Sequence, residues 1–308
     1  MKVSYDCIPC MIKQTIEAAR LGVDDENLQR EIINKTLQYL QTADLNLSPP
    51  ELGKHIFRII KDTVGTADLY LEQKQQFNKF ILDNYHELKR AVYLNDDPVH
   101  LAAKLAISGN NLNYTQIMHL EDLLAEIKKD KFALDDYQQF LTDLIDVKNV
   151  LYLADNAGEI VFDKLFIEVL RRFYPERGHT FTVVVRGAPI INDATRADAE
   201  LVDLDEVAAV IDNGDDAPAT ILHHVSREMR SYYDRAELII SKGQGNFESL
   251  NEEKKLIYFL FRVKCPVLSR ELKVPEGSLV FKRSGFSRHH DVQCESPTLS
   301  QIKEKNDV

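Results

Sequence analysis

Polar side chains follow a strongly apolar run near the middle of the chain. Residues 150–154 have the pattern of a buried strand, and Asp155, Asn156 and Glu159 come directly after them. A helical pattern then begins at Ile160, with apolar residues stacked on one face. Open α/β sheets bind their ligands at the carboxyl ends of the strands. Oxygen-bearing side chains at this position therefore indicate a binding or catalytic site rather than a simple turn.

A further oxygen ligand follows the next apolar run. Residues 180–185 predict a second strand, and Asp193 lies in the loop after it. In a parallel sheet the two loops leave the same edge, so Asp193 would join Asp155 and Asn156 in one crevice. Oxygen donors favour magnesium, manganese or a similar divalent ion over zinc in a thiolate site. The alternative interpretation is that both aspartates only cap the helices that follow them.

Cations and glycines also lie next to the ends of the predicted strands. Arg186 follows the second predicted strand, Lys242 follows the fourth, and Lys264 precedes the fifth. Gly243 and Gly245 would allow backbone amides to approach an oxyanion closely. A metal ion, cations and exposed amides are the groups that phosphate chemistry uses. Taken singly, each of these cations is more often a solvated surface charge.

The elements that would position these residues differ between the two halves of the chain. The first half shows helical periodicity, and Ser48 with Glu51 forms the capping-box pattern of a helix start. The second half alternates helical patterns with apolar runs typical of buried parallel strands. Those runs are residues 147–154, 180–185, 207–211, 237–240 and 265–268, with 278–281 as an edge strand. We predict an α/β fold: a Rossmann-like, doubly wound, mainly parallel sheet preceded by an all-helical N-terminal domain.

Three regions follow from this division. Residues 1–146 are expected to form the helical domain, which would act as a lid or specificity wall. Residues 147–283 are expected to form the α/β domain that binds metal and phosphate. Residues 284–308 are a polar tail without a helical stripe, which we expect to be loosely held.

Charge and missing motifs exclude several classes of protein. The 308 residues carry a formal net charge of −11, which repels nucleic acid and anionic membranes, so neither is an expected partner. The chain has no signal core and no apolar run near the ~20 residues of a membrane helix, so we expect a soluble, cytoplasmic protein. It lacks the P-loop, the dinucleotide fingerprint after its first strand and the serine-hydrolase elbow.

Two cysteines near the N-terminus form a CxxC pattern. Cys7 and Cys10 lie at the start of the first predicted helix, where a thiol pKa is lowered, so they could form a redox pair. They cannot complete a zinc site alone, and Cys265 would be a third ligand only if the fold brought it near. Purely structural thiols are the other interpretation.

Together these motifs resemble the metal-dependent damage-control phosphatases, formerly a domain of unknown function, and specifically their archaeal and bacterial branch with a CxxC. The resemblance covers about residues 1–282 and includes DNAGE at 155–159, RGAPIINDAT at 186–195 and SKGQGNFE at 241–248. It implies that Asp155, Asn156 and Asp193 bind a divalent metal. It also implies that Asn246 and Lys264 hold the substrate, a small phosphorylated metabolite such as a sugar phosphate or a damaged cofactor intermediate.

The resulting hypothesis is a phosphomonoester hydrolase that uses one Mn²⁺, Mg²⁺, Co²⁺ or Ni²⁺ ion. Asp155, Asn156, Asp193 and Glu159 are the expected catalytic residues, with Glu159 as a hydrogen-bond acceptor or base. Asp155 as a covalent nucleophile is an alternative within the same mechanism. Two other functions stay open: a Rossmann-like S-adenosylmethionine-dependent carboxyl methyltransferase, and a non-catalytic metal or redox sensor built on the CxxC.

Overall fold

A computed structural model describes residues 1–109, 120–175 and 178–285, with side chains from residue 123 onward in the second range. The predicted tail therefore lies almost entirely outside the described residues. In the first part of the chain the helices are α1 Cys7–Gly22, α2 Glu26–Thr42, α3 Pro49–Val64, α4 Leu71–Asp83, α5 Tyr85–Tyr93, α6 Pro98–Ser108 and α7 Leu120–Lys129. The predicted capping box is confirmed, since the backbone N–H of Ser48 donates to Oε2 of Glu51 at 2.8 Å.

Strands and helices alternate through the rest of the chain. The strands are β1 Phe132–Asp135, β2 Asn149–Leu153, β3 Thr180–Val185, β4 Ala209–Asp212, β5 Leu238–Lys242, β6 Ile257–Arg262 and β7 Leu279–Arg283. The helices are α8 Tyr137–Ile145, α9 Glu159–Phe173, α10 Arg196–Leu201, α11 Arg227–Arg235, α12 Gln244–Leu250 and α13 Pro266–Leu272. None of the helices in the described ranges is long and apolar enough to cross a membrane.

The seven strands form one sheet in the order β1-β7-β6-β5-β2-β3-β4. Neighbouring strands are parallel except β6 and β7, which are antiparallel. The segment β4-β3-β2-β5-β6 has the Rossmann strand order, whose direction of winding reverses between β2 and β5. The predicted α/β fold is confirmed, and the reversal point marks the edge where a ligand site is expected.

The sheet is buried on both faces. Val150 and Tyr152 of β2 pack in the larger core, which contains α6 and α9. Leu151 and Leu153 point to the opposite core, and this alternation follows from the two-residue period of a strand. Helices α1 to α3 pack around a smaller core of their own, which also holds Ile190 from the loop after β3. That contact places the first helices beside the carboxyl edge of the sheet.

Two predicted elements were wrong. Residues 265–268 do not form a strand, because Pro266 occupies the first position of α13, where its fixed φ and missing N–H favour a helix start. The strand lies earlier, at β6, so Lys264 follows a strand instead of preceding one. The first half is also not purely helical, because β1 pairs with β7 and forms the outer edge of the sheet. The domain boundary at residue 146 stays a prediction.

Candidate functional site

The loops after β2 and β3 run side by side at the carboxyl edge of the sheet. The backbone N–H of Ala194 donates to the carbonyl of Asp155 at 2.8 Å, and Ala157 donates to Asn192 at 2.9 Å. Between these bonds, Asn156 and Asp193 form an isolated antiparallel bridge. Backbone pairing therefore brings together the three residues that the sequence predicts as metal ligands.

Arg186 joins the two aspartates. Its Nε atom donates to Oδ2 of Asp193 at 2.6 Å, and its Nη2 atom lies 3.6 Å from Oδ1 of Asp155. The side chain is only 1% exposed, yet within the described part of the chain neither Nη1 nor Nη2 has a hydrogen-bond partner. Buried donors are normally satisfied, so these two atoms point to a ligand that accepts hydrogen bonds.

Lys242 holds a second pair of carboxylates. Its ammonium group donates to Glu159, to Oδ1 of Asp163 at 2.8 Å and to the carbonyl of Ala106 at 2.6 Å. Asn156 connects the two pairs, because its Nδ2 atom donates to Asp155 at 2.8 Å and to Glu159 at 3.2 Å. All three protons of Lys242 have acceptors, so this geometry does not support the expected contact between Lys242 and a phosphate.

We call the resulting group of buried acids the acidic cluster. Its four carboxylates belong to Asp155, Glu159, Asp163 and Asp193. Arg186 and Lys242 form ion pairs with these acids, and the four acids outnumber the two cations. An excess of buried negative charge is costly unless another positive charge is present.

Shifted pKa values reflect this excess. Burial raises the pKa of Asp193 to about 7; Arg186 opposes the rise, and the neighbouring Asp155 adds to it. Burial likewise raises the pKa of Glu159 to about 8, because Lys242 only partly offsets burial and the adjacent acids. Burial lowers the pKa of Lys242, but the carboxylates of Asp163 and Glu159 outweigh it, so the pKa of Lys242 is raised. Asp193, Glu159 and Lys242 thus shift towards their protonated forms, as expected where positive charge is short.

A divalent cation fits this cluster. It would add positive charge where buried acids outnumber their ion-paired cations, and carboxylate oxygens are its preferred ligands. Asp155 and Asp193 are positioned to supply those oxygens. Asn156 turns its NH₂ group towards the carboxylates, so its amide would have to rotate to offer Oδ1 to a metal.

The glycine-rich loop after β5 mainly positions the cluster. The N–H of Gly243 donates to the carbonyl of Leu260 at 3.1 Å, so it is engaged within the sheet and does not face an oxyanion. Gly245 packs closely on the loop after β4, and a Cβ atom there would lie 2.6 Å from the carbonyl oxygen of Pro218. Gly243 therefore does not provide the amide that we expected, whereas the amide role of Gly245 stays a prediction.

The two residues predicted to hold substrate are placed differently. Nδ2 of Asn246 donates to the carbonyl of Lys242 at 2.7 Å, and its Oδ1 accepts from the N–H of Thr220 at 2.7 Å. It therefore links two loops at the sheet edge. The side chain of Lys264 is exposed, and its backbone N–H donates to Gln244 at 2.9 Å. The structure does not bring Lys264 into the buried cluster.

Sequence reasoning missed two residues of this site. Asp163 lies one turn after Glu159 on the buried face of α9, so an acid within an apolar stripe was an available signal. Asn78 on α4 gave no signal in the sequence, because its contacts arise only when distant segments pack together. Its Oδ1 accepts from the N–H of Gly158 at 2.5 Å, and its Nδ2 donates to Asp198 at 3.0 Å. Asn78 thus connects the helical half to the loop after β2.

A different group of side chains is also arranged to hold a metal. Glu51 at the start of α3 meets His223 and His224 in the loop after β4, and their ligand atoms lie within 4.8 Å of one another. The sequence did not reveal this group because its members come from distant segments.

The cysteines do not favour a redox role. Cys7, Cys10 and Cys265 are free thiols. Burial raises the pKa of Cys7 and of Cys10, which disfavours the thiolate form that a redox pair requires.

The geometry agrees with what comparison with known proteins shows. The sequence profile of the damage-control phosphatase ARMT1-like domain matches residues 3–280. The chain belongs to this family. It is 34% identical over 291 residues to damage-control phosphatase PH1575 of Pyrococcus horikoshii, covering 93% of this chain and 99% of that protein. A damage-control phosphatase of Archaeoglobus fulgidus is 33% identical over 293 residues, covering 92% and 99%.

A solved structure of the same kind confirms the fold of this damage-control phosphatase family member. The crystal structure of PH1575, described as a DUF89 family protein, aligns with a TM-score of 0.85 and 34% identity. The alignment covers 92% of this chain and 99% of that one. The predicted family is thereby confirmed, and the relatives named as phosphatases support a phosphatase function.

Proposed function

We propose that this protein is a metal-dependent phosphatase that hydrolyses phosphomonoesters of small metabolites, such as sugar phosphates or damaged cofactor intermediates. One Mn²⁺, Mg²⁺, Co²⁺ or Ni²⁺ ion would be held by Asp155, Asn156 and Asp193. The observation that carries this proposal is the acidic cluster, in which four buried carboxylates outnumber the ion-paired cations Arg186 and Lys242. Family membership supports the same reaction class and favours it over the carboxyl methyltransferase and the sensor.

The bound ion and the residues around it would have separate roles in the reaction. The bound ion would supply Lewis-acid polarisation and a lowered pKa for water. Arg186 would bind phosphate oxygens with Nη1 and Nη2, which have no hydrogen-bond partner among the described residues. With the charge of the cluster compensated by the bound ion, Glu159 would be ionised and would accept the proton of the attacking nucleophile, since Lys242 and Asn156 hold its carboxylate in place. Lys242, Asn246 and Gly243 would position these groups without touching the substrate.

We further propose that residues 1–146 form the specificity wall of this site in a cytoplasmic enzyme. Asn78 of α4 contacts the loop after β2, and α3 packs beside the loops after β3 and β4. Substitutions on these helices would alter the preference among phosphorylated substrates more than the rate on p-nitrophenyl phosphate. Localisation of a tagged chain in its own cells would check the compartment.

The decisive experiment measures phosphate release by metal-free protein after each divalent ion is added back. Asp155→Ala and Asp193→Ala should each abolish metal-dependent hydrolysis while leaving the fold intact by circular dichroism. The matched control is Asp212→Ala, which removes a partly exposed acid at the end of β4 that pairs with Arg196 on the surface. Retained turnover in both cluster variants would overturn the proposed site.

A further inference from the structure

A separate cluster of metal-competent side chains lies outside the acidic cluster. Oε1 of Glu51 lies 3.1 Å from Nε2 of His223, and the ligand atoms of these two residues and His224 fall within 4.8 Å of one another. The capping box occupies the other oxygen of Glu51, because Oε2 accepts from the N–H and hydroxyl of Ser48. Oε1 is therefore the oxygen that faces the histidines. We call this group the histidine cluster.

A buried acid beside the histidine cluster gives an independent indication of a ligand. Asp215 is only 7% exposed, and in the described ranges its Oδ2 atom has no hydrogen-bond partner. This oxygen lies 3.7 Å from Nδ1 of His224. Histidines that bind metals usually donate their other ring N–H to a carboxylate, which fixes the orientation of the ring. A small rotation of the imidazole would bring Nδ1 of His224 within hydrogen-bond distance of this oxygen, so that it could donate to Asp215 once a metal is bound.

The nearby lysine does not prevent a cation from binding. Nζ of Lys54 lies 3.4 Å from Nδ1 of His224, but it is ion-paired with Asp215 and lies 3.6 Å from Asp216. Its charge is thus locally compensated. Since Nδ1 faces Lys54 and Asp215, Nε2 is the nitrogen of His224 that is available to a metal.

We propose that Glu51, His223 and His224 form a second metal site, distinct from the acidic cluster, which takes a borderline transition ion such as Zn²⁺. Two imidazole nitrogens and one carboxylate suit zinc better than magnesium or calcium, with water completing a tetrahedral shell. Ligand atoms of such an ion are about 3.4 Å apart. The ligand atoms here lie within 4.8 Å of one another, and rotation of the His223 side chain, which is 67% exposed, would bring them to the shorter separation.

The position of this site indicates its effect. A cavity of about 260 Å³ opens beside Glu51 and His223, which gives an ion and its water ligand access from solvent. An ion bound there would join the start of α3 to the loop after β4. Arg58 of α3 already contacts that loop through Asp216 at 2.7 Å. Metal binding would therefore tighten the helical half against the carboxyl edge of the sheet.

The test uses the full chain carrying Asp155→Asn and Asp193→Asn, which removes two charged ligands of the acidic cluster but keeps oxygen acceptors for the buried Arg186. This background should still bind one Zn²⁺ ion by isothermal titration calorimetry, and Zn²⁺ should raise its melting temperature. Adding His223→Ala and His224→Ala should weaken binding by about 100-fold or more, because losing an orienting partner alone costs about 10–100-fold. Asp215→Asn should fall within that smaller range.

Two controls keep the result interpretable. His86→Ala removes an exposed histidine of α5 outside the cluster and should leave Zn²⁺ affinity unchanged. If the double histidine variant folds poorly, Glu51→Gln keeps an acceptor for Ser48 and should still lower affinity at least about tenfold. Unchanged Zn²⁺ affinity in the folded histidine or Glu51→Gln variants would overturn the second site. That outcome would not count against the proposed phosphatase function. The acidic cluster is already disabled in this background, so the titration reports only on Zn²⁺ binding elsewhere in the protein.

Discussion

Gly243 lies so close to Asp155 that a Cβ atom at position 243 would overlap the carboxylate of Asp155. The two residues end neighbouring strands, β5 and β2, at the point where the winding of the sheet reverses. Gly243 also has a φ of +82°, a conformation that side-chain-bearing residues rarely adopt. Glycine is thus required here for both conformation and space, and its backbone forms one wall of the acidic cluster.

Gly243→Ala should therefore displace the Asp155 carboxylate and lower kcat/KM by about 100-fold, the loss expected for an ~1 Å misplacement of a reacting group. The matched control is Gly277→Ala. Gly277 has a similar φ of +85°, but no atom would contact the added methyl group, so only a conformational cost of roughly 1–2 kcal/mol applies. Measuring kinetics and thermal melts of both variants distinguishes the effect of backbone strain from the effect of displacing the Asp155 carboxylate. Equal activity in the two variants would contradict the assigned role of Gly243.

Lys242→Met should destabilise the protein strongly. It leaves Glu159 and Asp163 buried without their shared cation, and breaking a buried ion pair in this way costs about 3–5 kcal/mol. Adding Asp163→Asn should recover part of the loss, because it removes one uncompensated charge. Urea unfolding of the single and double variants measures both effects.

The comparison variant for this experiment is Lys79→Met. It breaks the exposed pair between Lys79 and Asp83, which are four residues apart on α4, and should change stability by less than about 0.5 kcal/mol. A Lys242→Met protein no less stable than Lys79→Met would show that the buried lysine does not hold the acidic cluster together.

Several features of this site were predictable from sequence because they follow from strand topology. Asp155 and Asp193 lie in the loops that follow the parallel neighbouring strands β2 and β3, so the strand order already places both at the same edge of the sheet. The partners of Lys242 were not predictable, since they depend on how α6 and α9 pack over β5. Strand β6 was missed because its apolar run closely precedes the Cys265–Pro266 pair, whose helix-start signal was mistaken for a strand.

The histidine cluster was even less predictable from the sequence than the partners of Lys242. Glu51 has a complete local explanation as the acid of a capping box, so nothing in its own segment predicts a second role. His223 and His224 lie in a long loop without periodicity. Only the packing of α3 on that loop brings the three residues together.

Replacing Cys7 and Cys10 by serine should leave metal-dependent phosphatase activity unchanged within about twofold, because substitutions at half-buried or exposed positions away from a site usually change little. Burial raises the pKa of both thiols, so neither is poised as a thiolate at neutral pH. Activity would be measured before and after treatment with a mild oxidant, with wild type alongside. Oxidant-sensitive activity in wild type that disappears in the serine variant would instead support a redox sensor.

Glu248 should make stability depend on pH. It lies on α12, and burial raises its pKa to about 7, although Gln244 donates a hydrogen bond to it at 2.8 Å. Between the usual glutamate pKa and about 7, the folded state holds this proton more tightly than the unfolded state does. The free energy of unfolding therefore falls as pH rises through this window, by at most about 1.4 kcal/mol per pH unit from this group.

Glu248→Gln should remove that contribution, because an amide does not titrate. Urea unfolding at pH 5, 6, 7 and 8 (about one unit apart, to span the window) should show a flatter profile and higher stability than wild type at the alkaline end. Glu252→Gln, an acid near the same helix with its side chain 85% exposed, is the matched control and should keep the wild-type slope. A Glu248→Gln profile parallel to wild type would mean that Glu248 is already ionised in the folded protein, and that the buried end of α12 tolerates its charge.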